Sequence, residues 1–202
     1  MGFGCLLVGY FFANMMPPGG TPLSIAKLIG YPLMIAAFYR LAPYHKRFLY
    51  CFFASLATLP FAVYYALYAL SVMGVVESYA FLSGMFYSVV GIVYLAVSLA
   101  VHLLMLLAVS ALCRELGLTA IRGYAWRSVT FVAAYFLLRF VMMIPVAWLQ
   151  KLLAPTLLVW LCMVFLNLFL IFKCYRHICP EGDEYMPDRT QPKKTGKGIE
   201  DE

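Results

Sequence analysis

Residues 79–112 read YAFLSGMFYSVVGIVYLAVSLAVHLLMLLAVSAL, thirty-four consecutive positions without an Asp, Glu, Lys or Arg. A helix needs about 20 apolar residues to cross a hydrocarbon core, and this run is far longer. As one helix it measures ~51 Å against the ~45 Å of a bilayer with its headgroups, so it must tilt or project into the cytoplasm. The remaining chain agrees in character. Of 202 residues, 64% are hydrophobic and 12% are charged, and mean hydropathy is +0.87. A soluble domain carries about 25% charged residues. So few polar residues cannot cover a water-facing surface. The expected fold class is all-α: a polytopic transmembrane helix bundle.

Outward from this run, five further apolar stretches bounded by charge, Pro or Gly complete six spans: Phe3–Met16, Leu23–Leu41, Phe48–Met73, Tyr79–Leu112, Tyr124–Leu149 and Thr156–Ile171. Span 1 ends at Pro17-Pro18-Gly19-Gly20 and is short, so spans 1 and 2 are also open to a re-entrant hairpin reading. It lacks a basic leader, and Ala13-Asn14-Met15 is a poor cleavage site, so retention is expected. Pro60 predicts a kink in span 3. The bundle is expected over residues 1–175, followed by a cytoplasmic tail over 176–202. Prolines, glycines and alternating charge blocks there predict disorder.

Orientation follows from Lys and Arg in short loops. Arg40, Lys46, Arg47, Arg114, Arg122, Arg127, Lys173, Arg176, Arg189, Lys193, Lys194 and Lys197 fall on one side, twelve in all, against Lys151 on the other. Both termini are therefore expected in the cytoplasm of a cell with a plasma membrane as host bilayer. Trp126 and Trp148 lie twenty-two residues apart, ~33 Å along a helix, matching a ring at each interface of span 5. The six cysteines sit at inner span ends or within span 6, so free thiols are expected. Cys174, His177 and Cys179 are short of the four ligands of a structural zinc site. No cofactor or nucleic-acid motif is present, and the basic inner rim faces anionic headgroups.

Polar residues inside the spans are costly and mark candidate sites. Arg139 falls near the middle of span 5, yet no Asp or Glu lies in any span. Its companions at helical spacing are Ser128, Tyr135 and Gln150. In span 4, Gly84, Ser88, Gly91, Leu95, Ser98 and His102 form a stripe of small residues suited to close helix packing. His102 is as far from Arg114 as Arg139 is from Arg127, which predicts a common depth. Span 6 offers Asn167, and span 3 offers Tyr64, Tyr68 and Ser71 on one face. The candidate ligand-binding set is Arg139, Tyr135, His102, Asn167, Tyr64 and Tyr68. Lys27 lies five residues from Pro22 and is expected to snorkel outward.

Lys27-Leu-Ile-Gly-Tyr-Pro-Leu-Met34 and Cys179-Pro-Glu-Gly-Asp-Glu184 resemble runs in uncharacterised small membrane proteins of Clostridia-type bacteria, which have Pro-Asp where this chain has Ala26-Lys27. That resemblance implies a bacterial inner membrane and no assigned activity. Six spans in 202 residues are also similar in size to the vitamin-binding subunits of energy-coupling-factor transporters. Their Ala-x-x-x-Ala signature is missing from span 1.

The leading functional expectation is a small-solute transporter, or its membrane-embedded substrate-binding subunit, with a midplane site favouring an anion or anionic lipid headgroup. A homo-oligomer and transporter partner subunits are both compatible with it. A scaffold without ligand ranks second. An enzyme ranks third, because in-membrane carboxylates, HExxH and GxSxG are all missing.

Topology is open to direct measurement. Cysteines introduced at Ser78 and Gln150 should react with an impermeant thiol reagent from outside, and those at Tyr44 and Gly123 only after permeabilisation. External labelling at position 44 would overturn the six-span order.

Overall fold

The computed structural model describes residues 2–15, 22–77, 82, 84–144 and 147–178. Among the described residues every regular element is helical. The order is α1 (Gly2–Asn14), a 3₁₀ turn (Pro22–Ala26), α2 (Lys27–Leu41), α3 (Arg47–Leu56), α4 (Leu59–Val72), α5 (Gly84–Glu115), α6 (Thr119–Val141), a second 3₁₀ turn (Ala147–Leu152) and α7 (Leu153–Ile178). Among the described residues three stretches are long and apolar enough to cross a membrane: Arg47–Val72, which joins α3 and α4, Gly84–Glu115 and Leu153–Ile178. α1 is apolar but shorter. The Pro17–Gly20 stop and the tail from Cys179 onward lie outside the described residues.

The helices close a circuit. α1 packs on α2 and α7, α7 on α6, α6 on α5, α5 on α3, and α3 on α2. Tyr10, Phe38, Phe48, Met105, Leu106 and Met163 are fully buried inside it. Phe53, Val63, Ile92, Leu137, Leu158 and Phe165 are exposed on its outside. A bundle equally apolar within and without suits a hydrocarbon solvent, where lipid replaces water at the outer face.

The closest backbone approach is between α1 and α2. A Cβ on Gly9 would stand 2.7 Å from the Met34 amide nitrogen, and one on Gly30 would strike the Ala13 backbone. One on Gly2 would meet Leu41 at 2.7 Å. The facing pairs 2/41, 9/34 and 13/30 share one sum of residue numbers, so the pair is antiparallel in constant register. Small residues let the two backbones nearly touch, and dispersion replaces the missing side chains.

The small-residue stripe expected on span 4 is not such a seam. On α5, a Cβ at Gly91 would meet only the Tyr65 hydroxyl, at 3.8 Å, and one at Gly84 would meet nothing within 4 Å. Gly84 and Ser88 are exposed, and only Leu95, Ser98 and His102 on that face are buried. Tyrosine rings from α4 hold the backbones apart there.

Span 3 kinks as Pro60 predicted. α3 ends at Leu56 and α4 begins at Leu59, because Pro60 has no N–H for the Leu56 carbonyl. The Thr58 hydroxyl donates instead to the Ser55 carbonyl at 2.6 Å. Span 5 differs more. α6 stops at Val141, and the turn after it is closed by Ile144 N–H to the Val141 carbonyl at 3.1 Å. Pro145 follows in the sequence, and a residue before proline is biased away from helix. Trp126 and Trp148 are therefore not on one helix, and their spacing is no ruler of membrane thickness. Gln150 likewise leaves the face of Arg139.

The Gly30 contact generates a paired test. Gly30→Ala should destabilise the purified protein by about 1–3 kcal/mol through overpacking against Ala13. Gly123→Ala, where a Cβ meets nothing within 4 Å, should be neutral or stabilise by up to about 1 kcal/mol through helix propensity. Equal thermal stability of the two variants in detergent would remove the α1–α2 seam from the argument.

Candidate functional site

α5 and α6 are joined by three residues, with Gly117 at φ +72° closing α5 and the Leu118 N–H bonding the Cys113 carbonyl at 2.8 Å. So short a turn makes the two helices antiparallel neighbours. Arg139 lies in the last turn of α6, far from this turn, and His102 lies nearer to it. The common depth expected for the two does not occur. α6 begins at Thr119, so Arg127 is already two turns into the helix and is no marker of its end. Arg139 comes level with Tyr94 and Leu95, and His102 with Phe136.

Arg139 lines a cavity of ≈ 280 Å³ with Tyr65, Tyr87, Ser88, Gly91, Tyr94 and Leu95. The cavity meets the surface at Ser88, Ile92 and Met143, all exposed. The Arg139 Nε is buried and has no hydrogen-bond partner among the described residues. Helix-end carbonyl dipoles favour a cation in this last turn, typically by about 0.3–1 kcal/mol, a modest compensation for a charge half removed from solvent.

A second, smaller cavity of ≈ 20 Å³ lies behind Tyr94 and Leu95, which wall both. Lys27, Ser98, His102, Tyr135 and Trp160 line it. Lys27 does not snorkel outward: it is only 2% exposed. It starts α2, and α1 packed across Gly30 and α4 packed from the other side close over it. Its Nζ stands 3.5 Å from the Tyr94 hydroxyl, and 5.4 and 5.3 Å from the ring centroids of Tyr65 and Tyr94. The Tyr31 and Tyr94 hydroxyls are themselves 2.7 Å apart.

The sequence candidates therefore divide. Arg139 lines the larger cavity. Tyr135 and His102 line the smaller one. His102 Nδ1 donates to the Ser98 carbonyl at 2.7 Å, its ring sits 5.6 Å from those of both Tyr10 and Phe136, and Nε2 has no partner among the described residues. Asn167 belongs to neither: its amide donates to the Tyr10 hydroxyl at 2.7 Å in the sealed core. Tyr64 and Tyr68 stand one residue off the inward face. Tyr64 packs on Tyr65 and Phe86, and Tyr68 on Tyr87 at 4.8 Å. The inward face of α4 carries Ala62, Tyr65, Ala66 and Ala69, whose i, i+3, i+4, i+7 spacing was the available signal. Tyr87, Gly91 and Tyr94 on α5 share one face by the same rule. Lys27, Tyr65, Tyr87 and Tyr94 are the residues that sequence reasoning missed.

Comparison of the chain with protein-family models, with curated proteins and with solved structures finds no match in any of the three.

The Tyr10–Asn167 bond spans α1 and α7 and generates its own test. Tyr10→Phe should cost about 1–3 kcal/mol, because it strips a buried amide of its acceptor. In the double variant Tyr10→Phe/Asn167→Leu, thermal unfolding should show less than the sum of the single losses. Additive losses would mean that the two side chains do not act as a pair.

Proposed function

We propose that this chain is a six-span protein of a bacterial plasma membrane with both termini inside, and that it binds a small anion at Arg139 as a transporter or as a transporter's substrate-binding subunit. The helices divide into spans as α1, α2, α3 with α4, α5, α6 and α7. The positive-inside count supports the orientation. The observation that carries the anion site is the pairing of an open ≈ 280 Å³ cavity with an arginine whose buried Nε has no partner among the described residues. Arg139 offers a fork of donors to an anion, and tyrosine hydroxyls around it can bond the ligand's remaining oxygens. Because it sits at the end of α6, the site belongs toward the outer ends of α5 and α6, not at the midplane. A lipid headgroup reaching in past Ser88 and Ile92 offers the same chemistry as a soluble anion.

A scaffold reading draws on the sealed contacts among Tyr10, His102, Phe136 and Asn167, which hold four helices together without a ligand. One experiment separates the two. The purified protein, wild type and Arg139→Leu, is unfolded thermally with acetate, succinate, sulfate and inorganic phosphate. A ligand at about a hundred times its Kd adds roughly 2.7 kcal/mol, several degrees in Tm. Wild type should gain that shift with at least one anion. Arg139→Leu should fold at least as well without ligand and gain none. No shift in either protein would leave the scaffold reading in front.

A further inference from the structure

Arg139 is not the only cation in this interior. The Lys27 ammonium is enclosed by two tyrosine rings and one phenol oxygen. That oxygen is already engaged with Tyr31. Ring faces and a shared lone pair attract a cation but supply no full negative charge. Tyr65 and Tyr94, the rings against Lys27, are also walls of the Arg139 cavity. Among the described residues no carboxylate stands beside the pair: Glu77 is exposed after α4, and Glu115 faces His45 at 3.6 Å at the far end of α5. Two cationic side chains thus share one low-dielectric region with no carboxylate among the described residues opposing them. A monovalent ligand leaves that region charged, and a divalent one closes the balance.

We infer that the ligand of the Arg139 cavity is a small dianion, of the dicarboxylate, sulfate or phosphate-monoester class. Arg139 grips one charged end, and Lys27 balances the second charge across the Tyr65–Tyr94 wall. This rests on the anion-site reading above. The volume of ≈ 280 Å³ is several times the ~30 Å³ share of one water, enough for a small organic dianion with part of its hydration. The same two charges can arrive on a soluble molecule or on a phosphomonoester lipid headgroup.

The test compares valence at equal ionic strength on the full chain purified in neutral detergent. Thermal titrations use sulfate, malonate and succinate as dianions, and acetate and chloride as monoanions. Wild type should bind at least one dianion roughly tenfold or more tighter than either monoanion. Lys27→Met should bring that dianion down to the acetate level while leaving the acetate response in place, and Lys27→Arg should keep the preference. Arg139→Leu should respond to neither class. A second arm places the protein in phosphatidylcholine nanodiscs with phosphatidic acid or phosphatidylglycerol. A shift with phosphatidic acid alone puts the dianion on a headgroup. Equal wild-type affinity for monoanions and dianions, with no distinction between the two lipids, overturns the dianion inference and leaves the anion site standing. The same holds if Lys27→Met keeps the full preference. No response to any anion in either arm overturns both. The wild-type comparison decides the matter even if Lys27→Met does not fold.

Discussion

A charge in an apolar interior is tolerated only when something nearby opposes it, and this chain places two cations in its helix bundle without one carboxylate beside them among the described residues. The arrangement around them follows from that constraint. Tyrosine is the compromise side chain: its ring packs like phenylalanine, its hydroxyl bonds, and its face attracts a cation. Tyr65 and Tyr94 pack against Lys27 and also wall the Arg139 cavity. Arg139 takes the other available compensation, the carbonyl end of α6. Both devices reduce the imbalance without cancelling it.

The fold holds Lys27 in this position through a seam that has nothing polar in it. α1 and α2 approach so closely at Gly9 and Gly30 that even one methyl group is excluded. With α1 pressed against α2, Tyr10 reaches both His102 on α5 and Asn167 on α7. The short first helix is thus a central packing element, although it is shorter than each of the three long apolar stretches. Its contribution is shape: a slim backbone surface that lets four neighbours converge.

The helical class and the kink before Pro60 were legible in the sequence, because composition and proline act locally. Three things were not. The end of α6 depends on a turn and a proline beyond an unbroken apolar run, and hydropathy does not see it. The depth of His102 relative to Arg139 depends on where α6 starts, and counting from arginines misplaced that start by two turns. Lys27 reads as an end-of-span lysine until α1, α4 and α5 are packed over it. On α4, Tyr64 and Tyr65 are adjacent and face different neighbours. Choosing between them required the alanines at 62, 66 and 69 to be weighed as a packing face, not passed over as small apolar residues.

The interruption between α3 and α4 gives the bundle a mechanical asymmetry. α3 is fixed on two sides by α2 and α5, whereas α4 leans on α2 and the turn at Pro22–Ala26. At the joint, the Leu56 carbonyl gets no donor from Pro60, and the Ser55 hydroxyl is buried without a partner among the described residues. Bending there disturbs few hydrogen bonds, while bending an intact helix disturbs several. Tyr65 stands two turns beyond the joint, ~10 Å along the axis, so a few degrees of rotation at Thr58 become a displacement of the cavity wall on the order of one ångström. A pivot at this joint would make α4 a lever arm, and the Tyr65 ring it carries touches both the cavity and the buried lysine.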